Sequence, residues 1–89
     1  MIEKEIEIVN RLGLHARAAA KLVHTACGFQ SEISIEKDGE EVDGKSILGI
    51  LLLAAPQGAR LSVRCNGDDE ERAITAISDL FANRFGEGE

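Results

Sequence analysis

Alternating apolar and charged positions predict four β-strands. Near the N-terminus, Ile2, Ile6 and Ile8 alternate with Glu3, Glu5 and Glu7, the period-two pattern of a strand with one buried face. Residues 32–36 alternate in the same way, and Asp38-Gly39 after them favours a tight hairpin turn into a returning strand that contains Val42. Leu, Val and Cys occupy alternate positions over residues 61–65, which predicts the last strand.

Three helices are predicted between and after these strands. The first covers residues 16–27, where Ala, Lys, Leu and Arg predominate. The second covers residues 47–53 and follows Ser46, a favourable N-cap. The third begins after Asp68 or Asp69. The predicted buried stripe of the first helix is Ala16, Ala19, Ala20, Val23, Ala26 and Cys27. That of the third helix is Ala73, Ile74, Ile77, Leu80, Phe81 and Phe85.

The order of these elements, β-α-β-β-α-β-α, defines the fold class. Each strand has one apolar face, so the helices are expected to cover one side of the sheet and leave the other exposed. The sequence therefore predicts an α+β fold, an open-faced two-layer sandwich. A length of 89 residues allows one modest core, and we expect a single domain over residues 1–89.

Composition excludes several classes of function. Ten basic and sixteen acidic residues give a net charge of −6, which argues against nucleic-acid binding. The longest apolar stretch, residues 47–55, is shorter than the roughly 20 residues that span a bilayer, and residues 1–5 do not resemble a signal peptide. We therefore expect a cytoplasmic protein without membrane insertion. Its two cysteines, Cys27 and Cys65, are predicted to be reduced thiols in core positions.

The distribution of charge suggests a local positive face. Residues 8–31 and 44–66 both contain basic side chains and no carboxylate. If the two segments meet in the fold, an acidic protein would have one cationic surface suited to an anion or to an acidic partner. A chance clustering of charges in a short chain is the alternative.

His15 is the strongest candidate for chemistry. It precedes the first predicted helix, where unpaired backbone N–H groups and the positive end of the helix dipole favour an anion. An imidazole is a competent nitrogen nucleophile, and the guanidinium of Arg17 matches phosphate oxygens. Together they suit a phosphoryl group held on nitrogen. The alternative is that His15 is an exposed histidine that happens to cap a helix. His24 lies in the middle of the predicted helix without a neighbouring cation, and we predict that it is an ordinary, partly exposed residue. No metal or cofactor site is predicted.

Two short motifs resemble those of a known family. Residues 10–20, NRLGLHARAAA, resemble the active-site signature of the HPr family, the histidine-containing phosphocarriers of the bacterial phosphotransferase system. Residues 45–49, KSILG, resemble the regulatory signature of that family. The total length, the strand order and the spacing of the motifs agree along essentially the whole chain. The resemblance implies a four-stranded antiparallel sheet covered on one face by three helices.

The resemblance also implies the partners and the role of each site residue. His15 would accept a phosphoryl group on Nδ1 from enzyme I, which is charged by phosphoenolpyruvate, and would pass it to the IIA components of sugar permeases. Arg17 would pair with the phosphoryl oxygens, and Ser46 would be the target of HPr kinase/phosphorylase where a bacterium has one. The protein would be a monomeric carrier rather than an enzyme. Its docking surface would comprise Ala16, Ala20, Ile47, Leu48 and Leu51.

One departure from the family pattern leaves alternatives open. The family usually has proline after the arginine, whereas this chain has Ala18, which keeps a backbone N–H in the first helical turn. A phosphocarrier of a regulatory, nitrogen-type branch is one alternative to sugar uptake. A non-phosphorylated module that binds a regulator through its apolar patch is another, although it would need neither His15 nor Arg17. A small enzyme with histidine as a general base ranks last.

Overall fold

The computed structural model describes residues 1–86. Its elements in chain order are β1 (Ile2–Glu7), α1 (Ala16–Cys27), β2 (Glu32–Lys37), β3 (Glu40–Asp43), α2 (Ile47–Leu52), β4 (Arg60–Asn66), α3 (Glu70–Ala82) and a closing 3₁₀ turn (Arg84–Gly86). This order confirms the predicted β-α-β-β-α-β-α fold and adds the 3₁₀ turn, which the sequence pattern did not predict. No helix in the described range is long and apolar enough to cross a membrane.

The four strands form one antiparallel sheet in the order β1-β4-β2-β3. Ile6 pairs with Leu61, and Ile35 pairs with Val63, so the apolar residues of neighbouring strands share one face. The turn between β2 and β3 has positive φ at both central residues, 52° at Asp38 and 86° at Gly39, as a two-residue hairpin turn requires. The sheet therefore has the predicted strand number and orientation.

The core lies between the sheet and the helices. α3 packs on β1 and β4, α2 packs on β3, and α1 packs against both of these helices. Inward-facing strand residues are buried beneath side chains of all three helices. The largest fully buried side chains in this core include Phe81, Phe85, Ile8, Leu22, Ile35, Ile50, Leu61 and Ile77. The prediction that residues 1–89 form a single domain stays a prediction, because residues 87–89 lie outside the described range.

The predicted buried stripe of α1 is partly wrong. The helix buries Ala18, Ala19, Leu22 and Ala26, while Val23 is only half-buried. The remaining members of that stripe, Ala16, Ala20 and Cys27, are exposed. Alanines lie on both faces of α1, so their spacing does not distinguish the faces, whereas burial of the bulky Leu22 sets the orientation of the helix. As a consequence, Cys27 is an exposed free thiol, and the prediction that it lies in the core is wrong. Cys65, on an inward-facing position of β4, is buried as predicted.

The expected positive face does not include the arginines of β4. Arg60 and Arg64 alternate with the buried residues of their strand, so they lie on the sheet face opposite the helices. There Arg64 donates hydrogen bonds to carboxylates of three other strands, Glu3, Glu36 and Glu41. Arg60 pairs with Glu5 at 3.1 Å. The ion pairs therefore neutralise two arginines that strand alternation has already placed on the face opposite α1.

Asp69 occupies the N-cap position of α3 but makes no side-chain capping hydrogen bond. Its carboxylate instead accepts hydrogen bonds from the backbone N–H groups of Gln30 (2.8 Å) and Ser31 (3.0 Å) and from the Ser31 hydroxyl. The side-chain bond to Ser31, followed by the backbone bond to Gln30, lowers the pKa of Asp69 to about 2. Asp69 therefore joins the start of α3 to the chain that leads into β2.

Phe85 is buried, as predicted, but not on α3. The helix ends at Ala82, and positive φ values at Arg84 and Phe85 turn the chain back toward the core. The ring of Phe85 packs edge-to-face on Phe81, with centroids 4.9 Å apart, and its carbonyl accepts a hydrogen bond from Lys21 Nζ. This closing turn fastens the C-terminal segment to α1.

Candidate functional site

His15 is the N-cap residue of α1. Its backbone is extended, with φ −73° and ψ 176°, and its Nδ1 accepts a hydrogen bond of 3.2 Å from the backbone N–H of Arg17. Its carbonyl accepts the first hydrogen bond of the helix, 2.8 Å from the N–H of Ala19. A neutral imidazole that accepts at Nδ1 carries its proton on Nε2. The Nδ1 lone pair is therefore held at the N-terminus of a 12-residue helix.

The loop before His15 is anchored to a second loop of the protein. Gly13 has a φ of +66°, and a Cβ there would lie 2.5 Å from the carbonyl oxygen of Ala55. That carbonyl accepts a hydrogen bond of 2.9 Å from Leu14 N–H. Asn10, which is fully buried, donates from Nδ2 to Gly13 O at 2.8 Å. This tight packing determines where the chain enters α1, and with it the position of the imidazole.

The N-terminus of α1 is electropositive. Arg17 is exposed in the first turn, and that turn contains no acidic residue. The backbone N–H groups of the first turn add the positive end of the helix dipole. His24 is exposed in the last turn, about 13 Å further along the axis at ~1.5 Å per residue. Only His15, of the two histidines, is therefore placed at this anion-favouring end.

Ser46 caps α2, as predicted. Its hydroxyl oxygen accepts a hydrogen bond of 3.2 Å from Gly49 N–H, and its carbonyl accepts one of 3.0 Å from Ile50 N–H. The residue is half-buried. The neighbouring Lys45 makes two hydrogen bonds. Its backbone N–H donates to the carboxylate of Asp43, and its ammonium group donates to the carbonyl of Phe29 at 2.8 Å.

Large apolar side chains are exposed around these two helix starts. The five residues concerned, which we call the apolar surface, are Leu12, Ile47, Leu48, Leu51 and Leu52, with exposed fractions from 36% at Leu51 to 72% at Leu48. A cluster of this kind on a small protein is typical of a protein–protein contact. α1 packs against α2, which brings the exposed Ala16 and Ala20 onto the same side of the molecule as α2.

Leu12 and Leu52 were missed by the sequence analysis. The signal for Leu52 was present, because residues 47–52 are apolar at every position except Gly49, and a surface helix buries only one face. The surplus leucines of α2 had to be exposed. Nothing in the local sequence distinguishes Leu12, which lies in the loop before His15, from a core residue of the same type.

Comparison with known proteins identifies the family. Residues 2–83 match the family model described as the PTS HPr component phosphorylation site. The chain belongs to the HPr family. A phosphocarrier protein HPr of Xylella fastidiosa (strain Temecula1) is 53% identical over 87 residues, which cover 98% of each chain. Like this HPr relative, the chain is a phosphocarrier of the bacterial phosphotransferase system rather than an enzyme.

Solved HPr structures have the same fold. The crystal structure of HPr-C-His from Thermoanaerobacter tengcongensis superposes with a TM-score of 0.95 at 50% identity and covers 98% of each chain. A structure described as an HPr dimer from the same organism superposes less closely, with a TM-score of 0.79 at 50% identity, and covers 98% of this chain and 100% of that one. The HPr fold with its sheet, helices and turns is thereby confirmed.

Proposed function

We propose that His15 Nδ1 accepts a phosphoryl group from enzyme I, which is itself charged by phosphoenolpyruvate, and passes it to the IIA components of sugar permeases. The observation that carries this proposal is the hydrogen bond from Arg17 N–H to His15 Nδ1, which presents a nitrogen lone pair at a helix N-terminus. A nucleophile in this setting reacts where the helix dipole favours the incoming negative charge.

The transfer balances without any cofactor. The Nδ1 lone pair forms the N–P bond while the bond from phosphorus to the donor breaks and its electron pair stays with the donor. The Nε2 proton remains on the ring, which carries a positive charge until that proton is lost to solvent. The Arg17 guanidinium pairs with the phosphoryl oxygens during the transfer, since its planar fork matches two of them. In the transfer to the IIA component, the N–P bond breaks, its electron pair returns to Nδ1, and the acceptor on the IIA component forms the new bond to phosphorus.

Docking of both partners is proposed at the apolar surface together with Ala16 and Ala20. All seven residues are exposed, and they lie on the two helices and the loop that surround His15 and Ser46. Phosphorylation of Ser46 by an HPr kinase/phosphorylase would add about −1.5 to −2 charges beside this surface. We propose that Ser46 regulates docking in this way, because an apolar contact is weakened when a phosphate must be desolvated.

We further propose that the protein acts as a cytoplasmic monomer. Each strand pairs with others of the same chain, and the fold superposes less closely on the HPr structure described as a dimer. Size-exclusion chromatography with light scattering should give the mass of one copy at micromolar concentration. A mass of two copies would contradict the monomer.

The function is tested by mass spectrometry of the intact protein after incubation with phosphoenolpyruvate and enzyme I. The wild type should gain the mass of one phosphoryl group and lose it in mild acid, because a phosphorylated imidazole is acid-labile. His15→Asn should gain nothing, although its side chain can still accept the capping hydrogen bond and maintain α1. His24→Asn is the matched control and should be phosphorylated like the wild type.

The outcome with the two histidine variants decides the assignment. Loss of the acid-labile mass in His24→Asn, with the modification retained in His15→Asn, would show that the acceptor is His24, at the C-terminal end of α1, and not His15. A wild-type protein that gains no mass while a known HPr does so in the same reaction would exclude the carrier function.

A further inference from the structure

The backbone N–H of Ala18 is a buried donor that makes no hydrogen bond with residues 1–86. The N–H before it, that of Arg17, donates to His15 Nδ1, and the N–H after it, that of Ala19, donates to His15 O. Ala18 is fully buried. The first turn of a helix leaves such donors unpaired, and this one directly follows the amide that bonds to the nucleophile, so it is available to an anion held on His15.

The fold of α1 does not require this N–H. Ala18 lies in the first turn, where the N–H groups have no acceptor within the helix and where proline is tolerated. Arg72 has the same position in α3, because Ala73 N–H is the first there to bond to the N-cap carbonyl, that of Asp69. Alanine rather than proline at position 18 is what provides the donor beside His15.

We propose that Ala18 N–H donates a hydrogen bond to an oxygen of the phosphoryl group on His15 and so stabilises the phosphorylated carrier. The inference rests on the proposed function of His15. Formation of the N–P bond uses the lone pair that otherwise accepts from Arg17 N–H, so the oxygens of the new phosphoryl group replace it as acceptors. Two neighbouring amides, Arg17 N–H and Ala18 N–H, then serve one anion.

This donor changes the equilibrium of transfer. A hydrogen bond to a charged oxygen is stronger than one between neutral groups, and this one is absent from the unphosphorylated protein. The hydrogen bond therefore stabilises the phosphorylated protein and not the unphosphorylated one. A carrier that lacks this N–H should give its phosphoryl group away more readily, and this chain should retain the group longer.

A competition experiment measures the effect directly. Wild type and Ala18→Pro, mixed in equal amounts, are equilibrated with catalytic enzyme I and limiting phosphoenolpyruvate, and the phosphorylated fraction of each is read from the intact masses. Wild type should hold the phosphoryl group in about tenfold excess, which corresponds to about 1.4 kcal/mol. Arg72→Pro, the same helix position remote from His15, is the control and should share the group equally with wild type.

A second variant separates loss of the N–H from the effect of the proline ring. Ligation of a synthetic segment 1–26 to a segment that begins at Cys27 allows an ester to replace the amide of residue 18, which removes the N–H without adding a ring. The ester should shift the partition in the same direction as Ala18→Pro, with melting curves showing that each chain is folded.

Each result decides one question. Equal partition between wild type and either folded variant overturns the role of Ala18 N–H. A shift with proline and none with the ester also overturns it, because the ring would then be the cause. Failure of wild type itself to be phosphorylated would instead overturn the proposed function of His15.

Discussion

At the scale of single residues, the position of one nitrogen carries the proposed chemistry. His15 Nδ1 lies 3.2 Å from the backbone nitrogen of Arg17. In the proposed mechanism, Arg17 therefore supplies both an amide to the acceptor atom and a guanidinium to the transferred group. The position of the imidazole follows from the place of His15 at the start of α1. Small displacements of the preceding loop therefore move the nucleophile with it.

Replacing Arg17 with lysine should slow transfer without weakening docking. The charge is kept, but the planar fork that pairs with two phosphoryl oxygens is lost. We expect a transfer rate about tenfold lower, or about 1.4 kcal/mol in the barrier, with unchanged apparent affinity for enzyme I. Rapid-quench transfer assays measure both, with Arg72→Lys as the control. An unchanged rate for Arg17→Ala would remove Arg17 from the mechanism.

Gly13→Ala should destabilise the protein more than Gly58→Ala does. Both glycines have positive φ, +66° and +90°, but only at Gly13 does an added Cβ meet backbone atoms, with Ala55 O at 2.5 Å, while nothing lies within 4 Å of it at Gly58. Left-handed backbone alone costs an alanine about 1–2 kcal/mol. Chemical denaturation should show that loss for Gly58→Ala and a clearly larger one for Gly13→Ala. Equal losses would mean that the loop around Gly13 accommodates the added methyl group without a further loss of stability, which would contradict the prediction.

At the scale of elements, α2 combines a stabilising cap with an interaction surface. Ser46 caps the six-residue helix, whose one buried residue is Ile50, while Leu48 is 72% exposed. The hydroxyl group that begins the helix thus lies beside leucines that face solvent. A change of charge at Ser46 is therefore expected to affect binding more than folding.

Ser46→Asp should retain thermal stability yet weaken the interaction with enzyme I. Aspartate is a good N-cap and its charge suits the start of a helix, whereas Ser46→Ala should lose about 1 kcal/mol with the cap. We expect an apparent affinity about tenfold weaker in steady-state transfer assays, with little change at saturating protein. Ser46→Asn keeps the cap without the charge and should bind like wild type. Equal affinities for the aspartate and asparagine variants would show that Ser46 is only a helix cap.

At the scale of the whole molecule, a few polar contacts join elements that are far apart in the sequence. Asp69 connects α3 to the chain before β2, Arg64 joins β4 to carboxylates on the other three strands, and Lys21 ties α1 to the closing turn at Phe85. The ion pairs of Arg64 are exposed to solvent, so they are expected to contribute little to stability. Asp69, which accepts three hydrogen bonds, is expected to contribute more to stability than these ion pairs do.

Stability should fall in acid partly through Asp69. The hydrogen bond from Ser31, with that from Gln30, lowers the pKa of this carboxyl from 3.8 to about 2 in the folded protein. A lowered folded-state pKa gives stability that is fully present above pH 4 and is lost as the pH falls toward 2. Unfolding free energies from urea titrations across this range should show a smaller acid-dependent loss for Asp69→Asn than for wild type. Asp68→Asn is the control, and an Asp69→Asn profile parallel to that of wild type would contradict the assignment.

Much of this architecture was predictable from local patterns. The period-two alternation of residues 2–8 and 61–65, the Asp38-Gly39 turn and the Ser46 cap each depend on neighbours within a few residues, so the sequence alone determines them. The placement of His15 at the start of α1 was predictable for the same reason. The chemistry of a helix N-terminus is likewise local.

The tertiary structure decided what depends on distant partners. α1 has alanines all around it, and the space left by α2 and α3 decided that Ala18 and Leu22, rather than Ala16 and Ala20, are buried. Strand alternation placed Arg64 on the uncovered face, and antiparallel pairing of β4 with β1 and β2 set Glu3 and Glu36 beside it. Such contacts join residues that are far apart in the chain. No local pattern determines which distant residue lies beside a given side chain, because this depends on how the helices and strands pack.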